Sequence, residues 1–151
     1  KSWTCNGMAF SPDGKTLHWS DTPIHNRNIY RCDYDPETGE VSNQQLFFHV
    51  PEGMGRPDGA TVDSEGNYWS AQYAGSRVLC ISPQGELLRD IALPVTNPTM
   101  PCFGGPDLKT LYVTSASQGM SAEHLAAHPL EGAVLAIPMD VAGLPEVAFA
   151  G

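Results

Sequence analysis

The sequence predicts an all-β protein: three four-stranded blades of a six-bladed β-propeller. Three observations carry this. A turn-and-strand unit recurs three times, about every 43 to 52 residues. Gly (15) and Pro (13) are abundant among 151 residues, as short strands joined by frequent turns require. Helical spacing of apolar residues occurs in one short stretch only.

Each unit opens with an inner strand and a turn, at residues 6–14, 58–66 and 100–108. Written above one another, Asn6, Asp58 and Met100 fall in one column. Second strands are expected at 16–21, 67–72 and 110–115, third strands at 28–33, 76–81 and 132–137. Outer strands are expected at 45–48, 87–91 and 146–149. This places the blades at about 4–50, 56–93 and 98–151, three parts of a single propeller domain. The turns support the strands. Ser11-Pro12-Asp13-Gly14, Asp35-Pro36-Glu37-Thr38-Gly39 and Ser82-Pro83-Gln84-Gly85 all place Pro early and Gly late. The helical exception spans 121–128, where Ser121 caps and Pro129 stops a short insertion between the second and third strands of the last unit.

Three blades do not close a ring, and an open half exposes apolar blade faces. The chain is therefore expected to be the C-terminal half of a six-bladed ring, whose N-terminal half is required. It begins Lys1-Ser2-Trp3 with no initiator Met and no secretory signal, consistent with a fragment, a processed product or part of a longer protein.

Composition narrows the function. Eight Lys+Arg against 17 Asp+Glu give a net charge of −9 without a basic cluster, which argues against nucleic acid as a partner. No apolar run is long enough to span a membrane. Cys5, Cys32, Cys80 and Cys102 form no C-x-x-C pair. They read as small buried apolar residues in a reducing compartment, so the expected location is cytoplasmic. No G-x-S-x-G elbow and no phosphate-binding glycine loop is present.

The chemistry lies in the repeat. Inner strands of a propeller run alongside its central channel, so Asn6 and Asp58 are expected at one mouth of that channel. An amide oxygen and a carboxylate suit Ca²⁺, Mg²⁺ or Mn²⁺, and accept Zn²⁺. Met100, in the third column, is no ligand for a hard ion. Asn-Gly and Asp-Gly are also ordinary turn dipeptides, so the pattern alone leaves both readings open.

The segments around Asn6-Gly7-Met8-Ala9-Phe10-Ser11-Pro12-Asp13-Gly14, Arg56-Pro57-Asp58-Gly59, Cys102-Phe103-Gly104-Gly105-Pro106-Asp107 and Pro129-Leu130-Glu131-Gly132 resemble the C-terminal half of the SMP-30/gluconolactonase/regucalcin-like family. The similarity covers essentially the whole chain. It implies a six-bladed propeller with one divalent metal, held by Asn6, Asp58 and a Glu that has no counterpart here. It also implies ring opening of a sugar lactone to an aldonic acid, with Asp58 as metal ligand and general base and Asn6 as neutral ligand. The substrate-binding residues are left unassigned. Two rival readings remain at this stage: a related propeller esterase or phosphotriesterase, and a non-catalytic binding propeller.

Other residues have plainer expectations. Asp21 reads as a solvated strand end that could instead approach the channel mouth as an acceptor, Arg56 as a surface arginine that could instead steer an anionic or polyhydroxy substrate, and His124 and His128 as exposed helix histidines. His25 could line a pocket. Trp3, Trp19 and Trp69 are expected to fill the spaces between blades.

Overall fold

The computed structural model describes residues 4–22 and 26–146. Within them lie three antiparallel sheets. The first runs β1 (Cys5–Phe10), β2 (Thr16–Asp21), β3 (Asn28–Tyr34) and β4 (Val41–His49), paired in chain order. The second repeats this with β5 (Arg56–Val62), β6 (Tyr68–Tyr73), β7 (Arg77–Ile81) and β8 (Leu87–Ala92). The third contains β9 (Pro98–Gly104), β10 (Thr110–Ser115) and, after helix α1 (Ala122–Ala127), β11 (Val134–Pro138). These are the expected blades. The fourth strand expected at 146–149 lies outside the described residues apart from Glu146.

The middle blade shows how the blades stack. Side chains of a strand alternate between its two faces. Along β6 and β7, Tyr68, Leu79 and Ile81 face the first blade and join Ile29, Phe47 and Val50. Their neighbours Trp69, Val78 and Cys80 face the third blade and join Phe103, Leu111 and Val113. Both faces are covered, so β7 reads as a nearly continuous apolar run from Val78 to Ile81, and even the polar Ser70 and Gln72 of β6 are buried. Trp69 meets Phe103 edge-on at 5.9 Å, filling the space between blades as expected. Trp19 does not: it stacks on Tyr30 of its own sheet, at 4.7 Å, because the two are cross-strand partners in β2 and β3. Trp3 lies outside the described residues.

Inner strands are edge strands, which explains their prolines. Pro57, Pro98 and Pro101 lack an N–H, and an edge strand has one side where none is needed. Each inner strand also carries a bulge near its start, between Asn6 and Ala9, between Pro57 and Ala60, and opposite the Thr114–Ser115 step. A bulge re-aims the local side chains, and these three lie at the same end of their blades.

None of the four cysteines forms a disulfide. Cys32 and Cys80 are buried as expected, but Cys5 is exposed and Cys102 only partly covered, because both lie on inner strands with one open side. No helix among the described residues is long and apolar enough to cross a membrane.

Candidate functional site at the mouth of the inner strands

Asn6 and Asp58 meet. The Asn6 side-chain amide donates to Asp58 Oδ1 at 2.7 Å and to Thr22 Oγ1 at 2.9 Å. With the amide N–H groups so engaged, Asn6 Oδ1 and Asp58 Oδ2 accept no hydrogen bond from the described residues. Two oxygen donors of the hard type thus stand together at the strand entry, half-buried.

Glycine makes this approach possible. Gly7 has φ +61°, and a Cβ there would run into the Tyr68 hydroxyl and sit 3.0 Å from the Asp58 carbonyl oxygen. That hydroxyl donates to the Gly7 carbonyl at 2.7 Å, tying the first inner strand to the second blade. Gly59 stands in the same relation one blade on: a Cβ there would sit 2.6 Å from the Thr99 carbonyl oxygen. The two relations identify the third member of the column. It is Thr99, not Met100, because Cys5, Pro57 and Pro98 pair with Asp21, Gln72 and Ser115, and the next residue in each strand is Asn6, Asp58 and Thr99. The sequence column slipped by one because β9 stays paired for longer before its turn, from Met100 opposite Thr114 to Gly104 opposite Thr110, than β5 does, from Ala60 opposite Ser70 to Val62 opposite Tyr68. Thr99 Oγ1 lies 2.7 Å from Thr114 Oγ1.

Asp58 is electrostatically poised. Burial pushes its carboxyl pKa above the ordinary value, and the Arg56 guanidinium opposes that shift. Arg56 begins β5 and pairs with Tyr73, whose ring lies 5.0 Å beneath the guanidinium.

Asp21 is not solvated. It is 3% exposed, with Oδ1 accepting from the Thr4 backbone N–H at 3.0 Å and Oδ2 from the Asn26 amide at 3.1 Å. It braces the strand entry that leads into Asn6, because β1 and β2 end side by side there. Thr22, which orients the Asn6 amide, was not singled out in the sequence; its only signal is adjacency to Asp21. His25 lies outside the described residues.

The insertion after β10 forms the expected helix, with Ser121 Oγ accepting from the His124 backbone N–H at 3.1 Å. His124 is not a free surface group. Its Nε2 lies 3.3 Å from Glu131, and its ring stacks on His128 at 4.3 Å. Glu131, with a side chain only 2% exposed, accepts from both the backbone N–H and the hydroxyl of Thr96. This pins the insertion to the segment entering β9.

Among the described residues no group of three or more His, Cys, Asp or Glu is placed to hold a metal. The donor set is one carboxylate and one amide, which fits an oxygen-liking cation completed by a further donor. A groove of about 650 Å³ lies nearby, lined by Met8, Ala60, Thr61, Met100 and Leu144 among others; it follows the inner strands and includes neither Asn6 nor Asp58.

The family described as SMP-30/Gluconolactonase/LRE-like region matches residues 2–117. This chain belongs to that family. A 6-deoxy-6-sulfogluconolactonase of Pseudomonas putida is 50% identical over 147 residues, 97% of this chain and 50% of that protein. A regucalcin of Xenopus laevis is 38% identical over 97% of this chain and 49% of its own length. The crystal structure of a calcium-binding regucalcin from Agrobacterium tumefaciens superposes with TM-score 0.86 at 29% identity, covering 93% of this chain and 47% of that one. The chain thus spans about half the length of the curated SMP-30/gluconolactonase relatives it matches. The likeness to a regucalcin structure agrees with three blades of a propeller.

Proposed function

We propose that the full-length protein hydrolyses a sugar lactone to the aldonic acid, using a divalent cation held by Asn6 and Asp58. The observation that carries this reading is the 2.7 Å contact between those two side chains, each with one oxygen left unengaged. Half a six-bladed ring presents two donors, and the remainder of the ring supplies the third. Two lactonase relatives support the reaction class: the 6-deoxy-6-sulfogluconolactonase at 50% identity and an L-arabinolactonase of Azospirillum brasilense at 38%.

Asn6 would hold the ion without adding charge, since an amide does not ionise. Thr22 fixes which way that amide faces. Asp58 would accept the proton of the attacking water, a role that suits a carboxyl whose basicity burial has raised. Gly7 keeps the first two inner strands close enough for both side chains to reach one point. When bound, the cation supplies Lewis-acid polarisation and charge neutralisation at the reacting carbonyl.

The test uses the full-length parent. Acid release from glucono-δ-lactone above the spontaneous rate, abolished by EDTA and restored by Ca²⁺, Mn²⁺ or Zn²⁺, is expected. Aryl-ester hydrolysis with no lactone hydrolysis would transfer the site to the esterase reading.

A further inference from the structure

Arg56 has chemistry that the proposed reaction does not use. It opens β5 two residues before Asp58, at the same blade end as the Asn6–Asp58 contact. It forms no ion pair with a carboxylate among the described residues, unlike Arg77 with Asp90 and Arg89 with Asp140. Its guanidinium donates no hydrogen bond to those residues either, unlike that of Arg31. Among the described residues its guanidinium lies over the face of Tyr73, which restrains the plane of the group and leaves its edge donors open.

An arginine held by an aromatic ring, with its fork unspent, beside the site of an otherwise strongly acidic chain, fits an oxyanion. We propose that Arg56 is the specificity-determining residue of the site, and that it recognises an oxyanion substituent, sulfonate or phosphate, on the sugar. This rests on the lactonase reading for the substrate's sugar framework. The planar fork matches two oxygens of such a group at once, whereas a hydroxyl at the same place offers it a single weaker acceptor.

The test measures binding of three open-chain acids to the metal-loaded full-length protein by calorimetry: gluconate, 6-phosphogluconate and 6-deoxy-6-sulfogluconate. All three share the carboxylate end, so their differences report the far substituent. The wild type is expected to bind one or both substituted acids about tenfold or more tighter than gluconate, the size of a charge-assisted contact. Which of the two binds tighter distinguishes phosphate from sulfonate. Arg56→Gln is expected to weaken the preferred acid at least about tenfold more than gluconate, and Arg56→Lys to recover part of the difference. Equal weakening of all three in Arg56→Gln would mean a structural role and overturn the assignment. So would a wild type that does not discriminate. Ring opening is followed in parallel. Discrimination without hydrolysis of any lactone would sink the lactonase reading and leave Arg56 as an oxyanion reader; hydrolysis without discrimination would do the reverse.

Discussion

The side-chain amide of Asn6 donates a 2.7 Å hydrogen bond to a carboxylate oxygen of Asp58, across 52 residues of sequence and from one blade to the next. Each follows a paired residue of its inner strand, Cys5 opposite Asp21 and Pro57 opposite Gln72, where the strand bulges. The contact is therefore a product of the repeat. Two copies of one unit, laid side by side, bring the same position of each to the same place.

Asp58→Asn replaces a group that can accept a proton with one that cannot, while keeping the shape. It is expected to lower kcat of the full-length protein about 10³-fold or more, through the lost base and the weakened hold on the ion. Unchanged circular dichroism would show that the fold survives. Turnover within a few-fold of wild type would remove Asp58 from the reaction.

Gly7→Ala is expected to destabilise the protein by about 2–4 kcal/mol, combining an unfavourable positive φ with a clash at the Tyr68 hydroxyl. Urea unfolding of the full-length protein measures it. Repeating the change in a Tyr68→Phe background is expected to reduce the cost by about 1 kcal/mol, since the clashing atom is gone. Full additivity would mean that the strain is in the backbone alone.

Asp63 organises the turn between β5 and β6. It is fully buried and accepts from the Asn67 backbone and amide at 2.9 Å each, from the Glu65 backbone at 2.9 Å and from the Trp69 indole at 2.8 Å. Asp63→Ala strands all these donors and is expected to cost about 3–5 kcal/mol in chemical denaturation. Asp63→Asn keeps part of the network and should lie between. A loss below 1 kcal/mol for Asp63→Ala would mean that water replaces the carboxylate.

His18 gives the fold a pH dependence. It is 4% exposed, lies edge-on to Phe47 at 4.7 Å, and burial first, then the Arg31 charge, push its pKa down to about 4. The unfolded chain takes up a proton near the ordinary value of 6.5. The folded state resists doing so. Stability is thus full above pH 6.5 and falls as the pH drops from 6.5 towards 4, by roughly 3 kcal/mol in all. His18→Phe is expected to remove that slope when stability is compared between pH 7.5 and 4.5. An identical slope in both proteins would show that His18 is not its source.

Much of the fold was legible because turns and alternation are local. The Pro-early, Gly-late turns and the aromatic strands between them place β2 and β10 to the residue. The meeting of Asn6 and Asp58 was legible for the same reason, since Asn6-Gly7 and Asp58-Gly59 align without a gap. The third column failed where the inner strand runs longer before its turn, which moved Met100 into the place that Thr99 holds. Asp21 and Glu131 were misjudged or missed because burial depends on which loops fold over them, and no single strand carries that information. Arg56 was read as an ordinary surface arginine because sequence does not reveal whether a charge has a partner.

The central claim is that Asn6 and Asp58 hold one ion between them. Calorimetric titration of the metal-free full-length protein with Ca²⁺, Mn²⁺ and Zn²⁺ tests it most directly. One ion per chain is expected, bound about tenfold or more weakly by both Asn6→Ala and Asp58→Asn. Unaltered stoichiometry and affinity in both variants would place the ion elsewhere and contradict the account.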